Sequence, residues 1–191
     1  MFSIFSMTTV ELVAVIFTLF SVIYAANKSI LNWAYGVIGI VMYAIIFFER
    51  SLYYNFLLQF VYLIQSIYGI VEWRKNKSNN QNTLKISYLN IKNRSIFVDI
   101  SIILLILYFL NITQYTSLLD IITSFISIIA TYMLAKGKIE NWILWMVVDV
   151  IYIILFFTVG LYISAFLYLI YFILCIWGYI KWSKIIKNEK V

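Results

Sequence analysis

The chain has no histidine and no proline, one cysteine, and only 12% charged residues. Without an imidazole it has no histidine metal ligand, proton shuttle or general base, which removes many enzyme classes. Cys175 lies in an apolar run and has no cysteine partner in the chain, so it is expected to be a small packing residue. Also missing are a glycine-rich phosphate loop, clustered acids and any nucleophile beside a base. No cofactor or metal site is therefore expected, no ATPase within the chain, and no enzyme. What is present in excess is apolar: 64% of 191 residues, against about 45–50% in soluble domains. A soluble fold of this length would leave most of those side chains without an interior, so the bilayer must be the missing apolar solvent. The fold class expected is an all-α membrane protein.

Crossing about 30 Å of hydrocarbon takes about 20 apolar residues. Seven runs qualify, near 8–26, 30–48, 52–73, 95–113, 117–135, 140–158 and 161–182. The only clearly aqueous stretch is 74–94, RKNKSNNQNTLKISYLNIKNR, which divides three spans from four. The start, MFSIFSMTTVEL, lacks a basic n-region and a cleavage site, so the first span is expected to stay. The net charge of +6 lies in short loops and the tail rather than on one amphipathic face, which argues against nucleic acid and reports orientation instead. If the 74–94 loop is cytoplasmic, Lys28, Lys136, Lys138, Lys181, Lys184, Lys187 and Lys190 fall inside with it and Arg50 alone falls outside. The N-terminus is then outside and the C-terminus in the cytoplasm.

Residues 11–73 align with 120–182 at a constant offset of 109. Asn32-Trp33 falls on Asn141-Trp142, Tyr43 on Tyr152, Phe47-Phe48 on Phe156-Phe157, Leu52-Tyr53 on Leu161-Tyr162, Tyr62 on Tyr171, Gly69 on Gly178 and Trp73 on Trp182. Ordered matches of Asn, Trp, Tyr and Gly do not arise from apolar low complexity, so the chain reads as a duplication. Three spans leave the chain on the opposite side of the membrane, and a fourth must intervene before a second copy can start in the same direction. The architecture expected is seven transmembrane helices as a 3+1+3 parallel repeat: a three-helix bundle over 8–73, a cytoplasmic loop over 74–94, a linker helix over 95–113, a second bundle over 117–182 and a cytoplasmic tail over 183–191.

Few side chains in these spans carry chemistry. Trp142, Trp145, Asp149 and Tyr152 follow at spacings of three, four and three, one helical face beside Asn141. A carboxylate at the depth of Asp149 costs several kcal/mol unless it faces protein or water, which makes it a functional candidate. In the third span Asn55, Gln59, Tyr62, Ser66 and Gly69 form a similar stripe, with Gln65 one step off it. Its counterparts in the seventh span are Ser164, Tyr168, Tyr171, Cys175 and Gly178. The plainer reading of these stripes is helix–helix packing by small and hydrogen-bonding residues. Glu11 and Asp120 read as solvated helix ends, and Asp99 lies a little inside the linker span. Two bundles facing each other enclose an axis, where a solute site near mid-depth is the usual outcome. Aromatic faces beside an acid suit a flat cationic ring, and Gln, Asn and Tyr can hydrogen-bond an amide or sugar.

Three stretches, ENWILWMVVDVIY at 140–152, LYYNFLLQFVYLIQSIYGIVEW at 52–73 and GLYISAFLYLIYFILCIWGYIKW at 160–182, resemble the PnuC family of bacterial vitamin transporters. With the lysine-rich linker, the resemblance covers nearly the whole chain. It implies a SWEET-like fold in the bacterial inner membrane, a homo-oligomer (a trimer), and facilitated diffusion of nicotinamide riboside by alternating access. A cytoplasmic kinase would trap the imported vitamin. The family's cage and gate roles would fall on Trp142 and Trp145 with Asn141 beside them, and on Gln59 and Tyr62. Thiamine, also cationic, or another vitamin-like solute of the same family is the alternative, as is a binding subunit that needs an ATPase partner. The chain departs from SWEET relatives in lacking proline hinges, so Gly36, Gly39, Gly69, Gly160 and Gly178 would have to provide any bending.

Overall fold

A computed structural model describes residues 7–78, 85–89, 118–158 and 160–188. The expected linker helix at 95–113 lies outside the described residues. Six helices fall within them: α1 Met7–Ala26, α2 Leu31–Glu49, α3 Tyr53–Ser78, α4 Leu118–Ala135, α5 Asn141–Thr158 and α6 Tyr162–Asn188. In hydrocarbon every backbone N–H and C=O must be satisfied within its own segment, which forces these Ile- and Phe-rich runs into helices whatever their propensity in water. Windows in α1, α2, α3, α5 and α6 are long and apolar enough to cross a membrane, and α4 carries a shorter apolar run, Ile121–Ala135. Their outward faces are bare hydrocarbon, with Ile64 67% and Ile163 89% exposed. In water such faces would have to be covered; in lipid they need not be.

The duplication is visible in the turns. Lys28 and Ser51 close α1 and α2 with φ of 56° and 57°, and Gly137 and Gly160 close α4 and α5 with φ of 65° and 78°. Lys28 and Gly137 are separated by the repeat offset, and so are Ser51 and Gly160. Ser29 N donates to Tyr24 O at 3.0 Å and Lys138 N to Met133 O at 2.8 Å. Leu52 N donates to Phe47 O and Leu161 N to Phe156 O, both at 2.8 Å. These are the six-to-one bonds that cap a helix through a left-handed residue. The second copy places glycine at both strained positions, whereas the first tolerates Lys and Ser there, at about 1 kcal/mol each.

Neighbouring helices pack in sequence, α1 on α2 through to α5 on α6, and α6 returns onto α1, closing a ring. The seams between repeats are α3–α4 and α6–α1, which the duplication relates to each other. Inside each repeat an indole locks the bundle: Trp33 meets Trp73 edge-on at 5.5 Å, and Trp142 meets Trp182 edge-on at 5.5 Å. Gly69 and Gly178 leave room for the Trp33 and Trp142 indoles, which explains why these residues recur together in both copies.

Polar contacts gather at one end of the ring. Lys136 bonds Glu72 at 3.2 Å and lies over the Tyr68 ring at 5.1 Å. Burial alone would lower the Lys136 pKa, but hydrogen bonds to Tyr68 and Glu72 outweigh it and leave it raised. At the other seam Lys181 donates to Asn27. The late part of α3 thus lies beside the end of α4, and the late part of α6 beside the end of α1. Into this end comes the segment 85–89. Ser87 N donates to Gly137 O at 3.0 Å and Ile139 N to Ser87 O at 3.2 Å. Lys138 Nζ reaches Ser87 Oγ at 2.7 Å, and Leu89 N donates to Glu140 Oε1 at 2.9 Å. Buried Ile86 joins Trp33, Trp73, Trp142 and Trp182 in the core cluster. A piece of the hydrophilic loop therefore contributes to the floor of the ring. The outlying acid Glu11 pairs with Arg50 at 3.7 Å, both exposed, as befits solvated helix ends.

The two seams are not equivalent. Trp73 Nε1 donates to Ala135 O at 3.1 Å and Gln65 Nε2 to Ile128 O at 2.8 Å, both across α3–α4. Trp182 Nε1, the counterpart of Trp73 Nε1, is buried with no partner among the described residues. Trp73→Phe should therefore lower thermal stability by about 1 kcal/mol more than Trp182→Phe, the net worth of one hydrogen bond. Unfolding scans of both variants in one detergent measure this, and equal losses would contradict it.

Candidate functional site

The ring encloses a cavity of about 380 Å³, within the size range of small-ligand pockets, about 300–1,000 Å³. All six described helices contribute to its wall. Of the residues singled out from sequence, Asn55, Gln59 and Tyr62 of α3, Asn141, Trp142, Trp145, Asp149 and Tyr152 of α5, and Tyr168 and Tyr171 of α6 all line it. Helical spacing accounts for this convergence: each set recurs every three or four residues, and packing turns that stripe inward, away from lipid. Gln65 stands apart. It is absent from the wall and instead staples α3 to α4 through Ile128 O.

Asp149 is the only charged residue in the wall, 4% exposed, and no Lys or Arg lines it among the described residues. Its Oδ2 accepts from Cys175 Sγ at 3.6 Å. A thiol is a weak donor and offsets little of the cost of holding a charge here. Cys175, expected from sequence only to pack, packs and also touches the acid.

Aromatic rings gather beyond Asp149. Tyr152 lies 4.8 Å from Tyr168 and 5.7 Å from Phe156, and Tyr168 is 5.8 Å from Tyr171. Tyr152 also shares a hydrogen bond of 3.0 Å with Thr123. The first repeat answers with Tyr43 against Phe47 at 5.9 Å. Trp145 lines the cavity between this cluster and Asn141, at a position where the first repeat has Gly36. Likewise Asp149 stands opposite Ile40 and Tyr168 opposite Gln59 in the repeat register. Rings and amides line the cavity from both repeats, and the wall is asymmetric at three positions, where Trp145, Asp149 and Tyr168 of the second repeat stand opposite Gly36, Ile40 and Gln59 of the first. Such a wall can take a flat, electron-poor ring on one side and hydrogen-bond its substituents on the other.

The sequence reading misses part of the wall. Thr18 and Ser21 of α1, Asn32, Trp33 and Tyr43 of α2, and Ser124, Ser127 and Thr131 of α4 also line it. For α4 the signal is there: hydroxyls at spacings of three and four on one face of an apolar helix. For Asn32 and Trp33 it is the repeat itself, since their counterparts Asn141 and Trp142 are among the sequence candidates.

The sequence profile of the family described as Nicotinamide mononucleotide transporter matches residues 8–184. The nicotinamide riboside transporter PnuC of Escherichia coli (strain K12) is 24% identical over 206 residues, spanning 93% of this chain and 86% of that protein. The nicotinamide riboside transporter PnuC of Neisseria mucosa is 24% identical over 197 residues, spanning 93% of this chain and 73% of that one. Among solved structures, the crystal structure of the vitamin B3 transporter PnuC superposes with a TM-score of 0.71 at 25% identity, covering 94% of this chain and 82% of that chain.

Proposed function

The chain belongs to the PnuC family of multi-pass membrane transporters, and from that premise we propose that it admits nicotinamide riboside to the bacterial cytoplasm by facilitated diffusion. The observation that carries the choice of solute is the charge of the wall: one carboxylate, Asp149, and no cation among the described residues. The family description names the mononucleotide, and the similar relatives are named for the riboside. A phosphate dianion would enter this cavity with no Lys or Arg to meet it and a carboxylate to repel it, several kcal/mol in the wrong direction. The riboside differs by losing that phosphate and keeping the pyridinium cation, which Asp149 and the faces of Trp145 and Tyr152 are suited to hold.

Alternating access would follow from rocking one three-helix bundle against the other around this cavity. A count of seven spans as 3+1+3 is part of this proposal: α3 and α4 both finish at the polar end of the ring, which supports one further crossing between them, and the apolar run 95–113 is the candidate that the sequence offers for it. Lys28, which closes α1 next to Asn27, belongs to that same end with Lys136, Lys138 and Lys181, and the excess of basic residues makes it the cytoplasmic one. The N-terminus is then outside and the C-terminus inside, in the inner membrane, and by family resemblance the chain assembles as a homotrimer.

The test is uptake of labelled nicotinamide riboside by purified protein in liposomes with nothing else added. Uptake should saturate, resist a protonophore, and be competed by excess riboside but not by the mononucleotide. Failure without a further component would favour a binding subunit that needs an ATPase partner, stronger competition by thiamine would favour that vitamin, and collapse with the protonophore would end the uniporter reading.

A further inference from the structure

Residues 85–89 belong to neither repeat, yet they are built into the polar end of the ring. Ser87 pairs with Lys138 in a single parallel bridge, its N–H donating to Gly137 O and its carbonyl accepting from Ile139 N. Two side chains of the α4–α5 turn complete the seat. Lys138 Nζ donates to Ser87 Oγ at 2.7 Å and to Tyr88 O at 3.4 Å, and Glu140 Oε1 accepts from Leu89 N at 2.9 Å. All of these bonds run to the second repeat. The equivalent turn of the first repeat holds no such segment among the described residues, and it lacks the groups for one: Ser29 stands in the place of Lys138 and Leu31 in the place of Glu140. Ile30 of that turn is 37% exposed, whereas its counterpart Ile139 is 0% exposed. The apolar reach of the segment is wider than its bonds. Ile86, 3% exposed, shares one buried cluster with Trp33 and Trp73 of the first repeat and with Ile139, Trp142 and Trp182 of the second. Trp33 and Trp142 also line the cavity, so this cluster lies against the cavity's polar end.

We propose that residues 85–89 are a strap that holds the polar end of the cavity shut. Hydrogen bonds fix the strap to the second repeat, and Ile86 is the tongue that ties in the first. This rests on the alternating-access reading above and not on the identity of the solute. Rocking the two bundles apart at this end divides the cluster. Ile86, held to the second repeat through the backbone of Ser87, must then leave the first repeat's share of that cluster and meet water. Its burial therefore favours only the state closed at this end, and an interaction made in one of two states shifts the equilibrium between them. The device is one-sided, because only the second repeat's turn carries the lysine and the glutamate that seat it.

Cys175, the chain's one cysteine and a cavity-wall residue 4% exposed, reports which end is open. Right-side-out and inside-out vesicles are treated with a small charged methanethiosulfonate that does not cross the bilayer, and labelling is scored on the repurified chain. Ile86→Asn should speed labelling from the face of the basic loops at least fivefold and leave the other face unchanged or slower, while Ile86→Leu should match the parent. Lys138→Ser combined with Glu140→Leu gives the second turn the first repeat's residues without touching Ile86, and should speed labelling at the same face about threefold. General loosening would speed labelling from both faces. That result, or parent rates in both variants while nicotinamide riboside is still taken up, overturns the strap alone. Faster labelling confined to the opposite face keeps the strap and overturns the orientation. No labelling from either face, with or without the riboside, overturns alternating access and the strap with it.

Discussion

Gly69→Leu should remove the folded protein from detergent solution, and Gly69→Ala should already lower its stability by about 3 kcal/mol or more, the upper end of the overpacking range. A Cβ built on Gly69 falls on the Trp33 indole, 2.5 Å from its Cη2 and closer still to Cζ2 and Cε2. The indole has little room to retreat, because it is buried, meets Trp73 edge-on at 5.5 Å and shares a core cluster with buried Ile86. At Gly178 the same construction meets Trp142 at 2.7 Å, so Gly178→Ala should behave similarly but somewhat less severely. Gly39→Ala is the control: its Cβ would lie 3.3 Å from Thr18 Cγ2, a methyl that can give by a few tenths of an ångström, and less than about 1 kcal/mol should be lost. Monodisperse yield by size exclusion and thermal scans report the outcome. Because the damage is steric, Gly69→Ala combined with Trp33→Leu should recover part of the loss that each change causes alone. A Gly69→Ala protein as stable as the parent would show that the glycine–indole contact does not hold the bundle.

That contact also shows what a sequence does and does not make legible. Gly69, Trp73 and Trp33 are visible as matched positions in the repeat, because a duplication preserves spacing even where identity drifts. Why they match is not visible, since an indole lying across a glycine on another helix leaves no trace in the periodicity of either. The stripes Trp142–Tyr152 and Asn55–Tyr62 reach the cavity because helical period alone sets which residues share a face, and a polar face shuns lipid. Gln65 carries the same polarity one step around α3 and ends in a seam, where a carbonyl of α4 meets it first. Residues 85–89 read as an aqueous loop from composition, and nothing local shows that Ile86 docks among four tryptophans. Ser124, Ser127 and Thr131 are legible by the same helical spacing, although small hydroxyls that can bond back to their own helix mark a polar face less strongly than Asn, Gln or Asp.

Asp149→Asn should weaken binding of nicotinamide riboside at least thirtyfold, about 2 kcal/mol, while sparing the uncharged dihydro form of the same nucleoside. The substitution keeps the shape and removes the charge, exchanging one acceptor oxygen for an amide donor. Two unit charges about 4 Å apart attract by about 4 kcal/mol at an effective dielectric constant of 20; part is lost to desolvating both groups, and truncating one partner of a buried charge pair typically costs about 2–5 kcal/mol. Trp145→Ala removes a cation–π and packing contact worth about 1–2 kcal/mol, so the acid should outweigh the ring. Stability runs the other way. Asp149 is buried with a thiol at 3.6 Å, and replacing a carboxylate so poorly compensated with a neutral amide should leave the unliganded protein no less stable than the parent. Reduced affinity for the cation without loss of thermal stability separates a recognition role from a packing one. Equal weakening of the cationic and dihydro nucleosides would mean that Asp149 acts through shape, and an unchanged affinity for both would remove it from the site.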